Sequence, residues 1–333
     1  MMLIPTEKRL DADTPPEKRG QMRDGVRLLT YWSDSGRIVH GGFSQLAYQL
    51  EAGDVLVFNN SRTIPAELKT VDGIRVRLSR EVEDGTWDGL ILGESSKKLE
   101  FMHGLKALVT GPGTEPPLVR LVFSCSSSRL LRELYRQGDV IRYEHVARSW
   151  PLQDYQTVYA SIPGSVEMPS AGRAFTWRML AHLQKHGIRL AFVTLHAGLS
   201  YYGDDKWPNP ALHPEAFSIE DEQAAIINDA KANGGRVIAV GTTVVRALET
   251  ASDGNTIIPQ AGVTSLYLSR TSKLTAVDGL LTGFHEQEAS HIDLLQTFAG
   301  EEGVKAIYKE AVAKRYLWHE FGDMNLLMRQ ERS

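Results

Sequence analysis

Four apolar residues at 237–240 run into Gly241, and a pattern of helical spacing follows at once. A short unbroken apolar run is typical of a strand buried on both faces, which favours a parallel sheet covered by helices. Gly241 permits a tight turn, and the hydroxyls of Thr242 and Thr243 suit the first turn of a helix. Because ligands of open α/β sheets bind at this edge, the stretch is either a ligand site or a plain strand–helix junction.

Helix and strand patterns alternate along the chain from Tyr155 onward. In the first predicted helix, apolar residues recur four positions apart until Gly187 ends the pattern. The predicted elements are a helix over 175–186, a strand over 188–195, a helix over 218–234 and a helix over 304–318. Such alternation with short connections predicts an α/β layer, to which the apolar run at 54–58 adds another buried strand.

Residues from about 67 to 154 have a different pattern. Apolar and polar side chains alternate over 74–78, as in a strand with one face in water, and 118–123 and 139–143 are further predicted strands. Gly73, Gly85 and Gly113 punctuate the segment as turns. Several short strands with regular turns favour a small barrel or sandwich, inserted into one larger body formed by residues 1–66 and 155–333.

Composition narrows the class of protein. The chain has 333 residues, 42% of them hydrophobic, and no apolar run approaches the roughly 20 residues that cross a bilayer. Residues 1–20 lack the apolar centre of a signal peptide. The single cysteine, Cys125, excludes an internal disulfide and a multi-cysteine zinc site. These features fit a cytoplasmic enzyme.

The net charge of −4 argues against broad, non-specific coating of nucleic acid, but it leaves room for a local basic patch. Arg129, Arg132 and Arg136 are at helical spacing and therefore lie near one another on one face of a predicted helix. They are the candidate RNA-binding residues. The alternative is an ordinary solvated helix face.

Polar residues cluster in four loops that follow predicted strands or lead into helices. Asn59 and Arg62 lie in the first, where the guanidinium group suits a carboxylate or phosphate. The later loops contain Ser170 and Gly172, then Thr194, His196 and Gly198, then Asp278 and His285. A histidine such as His196 is a candidate general acid or base because its ordinary pKa of about 6.5 is near neutrality. Each loop also has a structural interpretation, as a self-bonded turn, a rigid connector or a packed histidine.

Histidines and carboxylates near the fourth loop, including Glu286, Glu288 and His291, raise the question of a metal site. Their spacing matches no specific zinc motif, so we expect no metal. The chain also has no Walker A loop, dinucleotide fingerprint or nucleophile elbow.

Taken together, these segments resemble the S-adenosylmethionine:tRNA ribosyltransferase-isomerase family of queuosine biosynthesis. The likeness runs in order through nearly the whole chain and is very close over 232–246. The matching segments are residues 53–66, 155–172, 192–198, 232–246, 277–279, 284–285 and 321–323. Each motif alone is weak, whereas seven in register indicate shared fold and ancestry.

The resemblance implies a two-domain α/β fold, an α/β layered body with a small antiparallel β-barrel inserted over 67–154. It implies transfer and isomerisation of the ribosyl part of S-adenosylmethionine, the co-substrate, onto a 7-aminomethyl-7-deazaguanine in tRNA to give epoxyqueuosine. Adenine and methionine leave. The expected partner is a tRNA with a 7-deazaguanine wobble base.

This chemistry needs a base beside the sulfonium, a proton donor for adenine and an anchor for the methionine carboxylate. Our hypothesis assigns anchoring to Arg62, Arg246 and the helix start at Thr242 and Thr243. Proton transfer is assigned to His196 or His285, with Asp278 and Asp323 as polar partners. The other candidate substrate-binding residues are Asn59, Ser170, Gly172, Thr194, Gly198 and Gly241.

The chain also departs from the family pattern in several loops. Ala174 stands where the family has a histidine, residues 139–143 replace a proline-rich stretch, and 212–215, 282–289 and 322–325 differ from their counterparts. Two alternatives therefore stay open. One is a related S-adenosylmethionine-using enzyme with a different acceptor, and the other is a catalytically silent nucleotide- or RNA-binding paralogue.

Overall fold

A computed structural model describes residues 10–94, 96–204, 206–285 and 290–330. Glu286 and Glu288 lie outside these ranges. The strands are β1 (Leu10–Asp11), β2 (Arg27–Trp32), β3 (Ile38–Gly42), β4 (Val55–Asn59), β5 (Ser61–Thr63), β6 (Glu67–Lys69), β7 (Arg75–Glu83), β8 (Thr86–Leu92), β9 (Lys98–Glu100), β10 (Lys106–Pro112), β11 (Val119–Phe123), β12 (Ile162–Ser165), β13 (Arg189–Leu195), β14 (Glu215–Ile219), β15 (Val237–Val240), β16 (Gln260–Thr264), β17 (Gly279–Thr282), β18 (Leu317–Trp318) and β19 (Met324–Met328). The helices are α1 (Ser127–Gln137), α2 (Trp177–Lys185), α3 (Asp221–Ala232), α4 (Thr242–Thr250) and α5 (Ser290–Ala313).

The larger sheet has nine strands in the order β16-β14-β13-β4-β15-β17-β19-β2-β3. Its centre is parallel, from β13 through β4 and β15 to β17. Strand β4 is fully buried: Val55 and Val57 face the cluster that contains α3, α4 and α5, whereas Leu56 and Phe58 face the cluster that contains α2. Helices therefore cover both faces, as the unbroken apolar runs predicted for an α/β fold.

The smaller sheet is antiparallel, with six strands in the order β6-β7-β8-β11-β10-β9. It curls, because its two edges meet at an isolated bridge between Thr70 and Phe101. Its apolar core receives Leu130 and Leu134 of α1 and also Leu199, which comes from a loop of the larger sheet. The smaller sheet is thus packed against the edge at which the central parallel strands end.

Some predicted elements were wrong. Residues 139–143 form one bridge from Asp139 to Glu67 rather than a strand, and Arg142 turns the chain by donating to the carbonyls of Val146 and Ala147. The predicted helix over 304–318 is instead the second half of α5, which ends at Ala313 before strand β18.

Helix α3 begins at Asp221, three residues later than predicted, because Ser218 is paired within β14. Acidic residues occupy its first turn, where they suit the helix dipole. No helix within the described ranges is long and apolar enough to span a bilayer.

Candidate active site

A cleft of about 1040 Å³ opens at the carboxyl ends of β13, β15 and β17. Parallel strands bring their connecting loops together at this edge, so residues distant in sequence share one wall. Segments that approach the smaller sheet, including 140–145 and 197–201, complete the lining. Its size is at the upper end of the range for small-molecule sites, which leaves room for two ligands.

The helix start lies against this cleft. Gly241 has a φ of +98°, a conformation that glycine adopts without strain, and this turn directs α4 away from the strand. No side chain among the described residues caps the helix at Gly241, although Asn59 Nδ2 donates to Thr243 Oγ1 at 3.2 Å. An uncapped helix start presents N–H groups and partial positive charge to the cleft.

Arg246, one turn along α4, is held by several groups. It forms an ion pair with Glu215, and its Nε donates to the carbonyl of Leu266 at 2.9 Å. Glu215 also accepts the N–H of Gly198 at 3.1 Å. These bonds join α4, β14 and the loop after β13, so Arg246 fixes the shape of the wall.

His213 points its Nε2 atom at this wall. Its side chain is buried, and Nε2 has no hydrogen-bond partner among the described residues. A methyl group on Gly198 would lie 2.2 Å from that nitrogen, so glycine is needed for the ring to sit there.

The other ring nitrogen of His213 is held by a hydrogen-bonded chain. Tyr202 donates its hydroxyl proton to Glu115 at 2.9 Å, and its oxygen lies 3.3 Å from His213 Nδ1. Since the tyrosine proton is engaged, Nδ1–H donates to Tyr202, and Nε2 carries a lone pair. Burial lowers the pKa of His213, which favours the neutral ring.

A second group of lining residues combines aromatic rings with a carboxylate. Tyr143 packs edge-on to Tyr201 with ring centres 5.8 Å apart, and Tyr201 lies 4.8 Å from Trp207. Tyr143 donates its hydroxyl to Glu167, whose Oε1 also accepts the N–H of Ser200 at 2.7 Å. Burial raises the pKa of Glu167.

Two histidine–carboxylate pairs border this group. His145 Nε2 lies 2.9 Å from Glu320, and His319 Nε2 lies 3.1 Å from Asp11. Burial raises the pKa of Glu320, but the hydrogen bond and charge of His145 outweigh it, so the net shift is downward.

His145, His319 and Glu320 offer donor atoms within 4.8 Å of one another, which is the one cluster of metal-ligating type in the described ranges. The two imidazole rings are stacked, however, with centres 3.9 Å apart and planes at 15°. A metal bonds in the plane of an imidazole, so two near-parallel rings cannot direct lone pairs at one ion without tilting apart.

Several residues singled out from the sequence line the cleft. They are Ser170, Gly198, Gly241, Thr242, Thr243, Arg246 and His285. The ring of His285 lies 4.1 Å from that of His291, which is half-buried and has a pKa well below its ordinary value because of burial and the nearby His285.

Other predicted residues are placed in the framework around the cleft rather than in its lining. Asn59 is buried and bonds both Leu195 and Thr243, while Thr194 donates to Asn60 at 2.7 Å. Gly172 is packed so closely that a methyl group would meet the Tyr159 hydroxyl at 1.9 Å. Arg62 is exposed on β5.

His196 is not in the lining either. Its Nδ1 bonds the Ser61 hydroxyl at 2.7 Å beneath Gly164, and burial lowers its pKa. It is positioned as a packed histidine.

The two predicted aspartates, Asp278 and Asp323, accept hydrogen bonds from backbone N–H groups. Asp278 accepts the N–H of Val237 at 2.9 Å, at the end of the sheet opposite the cleft. Asp323 is buried and accepts from Arg27 and from the N–H of Leu317.

Arg129, Arg132 and Arg136 are all exposed on the outer face of α1, whose buried face contains Leu130 and Leu134. The chain leaves α1 directly for residues 140–145 of the cleft lining. The patch and the cleft are therefore joined by one short segment.

The sequence reasoning missed His213, Glu215, Glu167 and the aromatic residues around them. Residues 212–215 differ from their family counterpart but keep its histidine and glutamate, and that partial likeness could have identified His213 and Glu215. Nothing in the sequence joins His213 to Glu115, because the contact depends on how the two sheets pack.

A sequence profile described as queuosine biosynthesis protein matches residues 5–327. The chain is 36% identical to the S-adenosylmethionine:tRNA ribosyltransferase-isomerase of Thermus thermophilus, over 96% of this chain and 98% of that protein. It is 33% identical to the protein of the same name from Thermotoga maritima, again over 96% and 98%. The crystal structure of a Thermotoga maritima S-adenosylmethionine tRNA ribosyltransferase covers 98% of both chains, with 28% identity and a TM-score of 0.57.

Proposed function

The chain belongs to the queuosine biosynthesis protein family, and from that premise we propose that it is an S-adenosylmethionine:tRNA ribosyltransferase-isomerase working in this cleft. The reaction forms one bond from the aminomethyl nitrogen of a 7-deazaguanine in tRNA to a carbon of the ribosyl group of S-adenosylmethionine. The five carbons of that group close into a ring, the epoxycyclopentanediol. The bonds from ribose to adenine and to sulfur break. One proton leaves the carbon beside sulfur, one is added to adenine, and one leaves the acceptor nitrogen.

The geometry around α4 suits the donor. Its uncapped start offers N–H groups to a carboxylate or to ribose hydroxyls, and Asn59 holds Thr243 in place. Arg246 is a positioning residue because Glu215 already occupies its guanidinium group. Arg62 is too exposed to be the main binding residue for the methionine carboxylate.

The observation that carries the mechanism is the buried, unpartnered Nε2 of His213. A neutral imidazole with its Nδ1 proton held by Tyr202 and Glu115 is oriented as a general base, in the manner of a histidine held by a carboxylate in hydrolytic triads. We assign removal of the proton beside the sulfonium to His213, whose buried Nε2 lies against Gly198 and reaches that proton once the loop at Gly198 moves aside. His285, which also lines the cleft, is the candidate proton donor to adenine.

The acceptor is a whole tRNA, so part of its binding is electrostatic. Arg129, Arg132 and Arg136 supply phosphate contacts beside the cleft in this proposal. We further propose the division into a body of 1–66 and 155–333 with an inserted barrel of 67–154, and a cytoplasmic location. No metal takes part in the proposed mechanism.

Turnover with S-adenosylmethionine that carries a label in its ribose tests the function, because only the ribosyl carbons enter the tRNA. With tRNA that contains the 7-aminomethyl-7-deazaguanine base, we expect adenine and methionine release and label in the tRNA. Matched tRNA with guanine at the same position is the control. Adenine release with small amines but no tRNA labelling would favour a changed acceptor, and binding without release would favour a silent paralogue.

A further inference from the structure

The second group of lining residues, here called the aromatic–carboxylate pocket, consists of Tyr143, Glu167, Tyr201 and Trp207. All four line the cleft, and consecutive ring contacts of 5.8 Å and 4.8 Å join the three aromatic side chains. The mechanism above uses none of them. They come from three separate segments of the chain, so the fold has to bring them together.

Glu167 is in an unfavourable place for a carboxylate. Burial raises its pKa, its Oε1 is held by Tyr143 and Ser200, and no cationic side chain of the described residues lies within salt-bridge distance. Removing a carboxylate from water costs free energy unless charge or hydrogen bonds compensate. A cationic ligand would supply the missing charge.

The aromatic rings restrict what that ligand is. Protein aromatic side chains stack on the flat faces of bases that have been turned out of a nucleic acid. Tyr201 and Trp207 are only partly buried, so their rings are accessible from the cleft. A flat base that also carries a positive charge would satisfy both the rings and Glu167.

We propose that the aromatic–carboxylate pocket is the subsite for the acceptor base, a flat heteroaromatic ring that carries a primary ammonium group. Trp207 and Tyr201 stack on the ring, and Glu167, oriented by Tyr143 and Ser200, pairs with the ammonium. The donor then occupies the helix-start side of the cleft. This assignment rests on the proposed function and names the residues that select its acceptor.

The position of the aromatic–carboxylate pocket relative to α1 also supports placing the acceptor base there and the donor beside α4. Tyr143 lies on the segment that leads from α1, whose exposed face carries Arg129, Arg132 and Arg136. Phosphates bound on α1 would place a neighbouring base at the entrance to this pocket rather than at the start of α4. The competing occupant is the sulfonium of the donor, because aromatic rings also attract cations.

Binding of nucleosides tests the subsite without turnover. Equilibrium dialysis would compare 7-aminomethyl-7-deazaguanosine with its uncharged 7-methyl analogue, in the wild type and in Glu167→Gln. The wild type should prefer the charged nucleoside by roughly tenfold or more, as for a charge-assisted hydrogen bond, and Glu167→Gln should lose the preference while still binding the 7-methyl compound. An unchanged preference in Glu167→Gln would overturn the proposal.

Trp207→Leu tests the stacking. Loss of one base–aromatic contact costs about 1–3 kcal/mol, so the Kd of both nucleosides should rise roughly 5- to 150-fold. The Kd of S-adenosylmethionine should stay within about twofold of the wild-type value. A weaker Kd for S-adenosylmethionine with unchanged nucleoside binding would assign the pocket to the sulfonium and refute the acceptor subsite.

Two exposed residues away from the cleft provide matched controls. Trp177→Leu removes a tryptophan that is 63% exposed on α2, and Glu302→Gln removes a surface carboxylate of α5. Both should leave all three Kd values unchanged. Because these are binding measurements, they decide the subsite even if the wild type releases no adenine, an outcome that would refute the proposed function alone.

Discussion

His213→Gln is the substitution that tests the mechanism most sharply. Glutamine keeps a polar side chain of similar reach but cannot act as a base near neutral pH. A positioned general base contributes roughly 10²- to 10⁴-fold to rate, or about 2.7–5.5 kcal/mol of activation free energy. We therefore expect adenine release in a single turnover to slow by that factor.

The same substitution should lower the free energy of unfolding by much less than it raises the activation free energy. His213 makes one hydrogen bond, from Nδ1 to Tyr202 at 3.3 Å, and Nε2 has no partner to lose within the described residues. A typical hydrogen bond contributes about 0.5–1.5 kcal/mol. The variant should unfold at a urea concentration close to that of the wild type, so a large loss of rate cannot be attributed to unfolding.

The pH dependence supplies an independent check. The neutral ring is the active form, so activity rises with pH through the pKa of His213, and burial places this pKa below the ordinary 6.5. In a plot of kcat/KM against pH, the rise on the acidic side should lie below pH 6.5 in the wild type and should be absent in His213→Gln. His196→Gln, which alters a packed histidine outside the lining, should keep the wild-type rise. Turnover of His213→Gln within threefold of wild type would refute the assignment.

Four further predictions follow from particular contacts. Replacing Arg129, Arg132 and Arg136 with glutamine should weaken tRNA binding and lower its salt dependence, the slope of log affinity against log salt falling by roughly 2 to 3; an unchanged slope would exclude the patch. Burial lowers the pKa of His196, His213 and His291, so the folded state binds fewer protons than the unfolded chain, and the urea midpoint should fall as pH drops below 6.5. A midpoint equal at pH 7.5 and 5.5 would contradict this. Gly198→Ala would place a methyl group 2.2 Å from His213 Nε2 and should slow adenine release, whereas Gly111→Ala, which has open space around it, should not; equal rates would show that the ring is not held there. Asp54→Asn removes the buried carboxylate that pairs with Arg236 at 2.6 Å and leaves only the exposed Glu51, at 3.7 Å. The change should cost about 3–5 kcal/mol of unfolding free energy, measured by urea denaturation, and a cost under 1 kcal/mol would disprove the pairing.

The sequence predicts the central sheet well because its signal is local. The run at 237–240 forms β15, and Gly241 has the positive φ that its place at the turn requires. The same reasoning failed at 139–143, which was predicted as a strand but makes, within the described residues, a single bridge to the three-residue strand β6. A strand needs a partner, and the local pattern does not supply one.

The candidate site was less accessible to sequence reasoning. Glycines and threonines at the start of α4 were recognised because the strand–helix junction is continuous in sequence. The orientation of His213 depends on Glu115, which lies between β10 and β11 of the other sheet, and on Tyr202. Glu167 and Trp207 likewise acquire a joint function only through packing, so residue type alone gave no reason to select them.

Single-turnover reaction of S-adenosylmethionine labelled in both adenine and ribose, with precursor-containing tRNA, measures directly whether the cleft performs the proposed transfer. We expect labelled adenine to be released and ribose label to enter the tRNA in the wild type, no release with tRNA that has guanine at the same position, and release slowed at least a hundredfold in His213→Gln. Release that does not depend on the modified base, or that is equally fast in His213→Gln, would contradict this expectation.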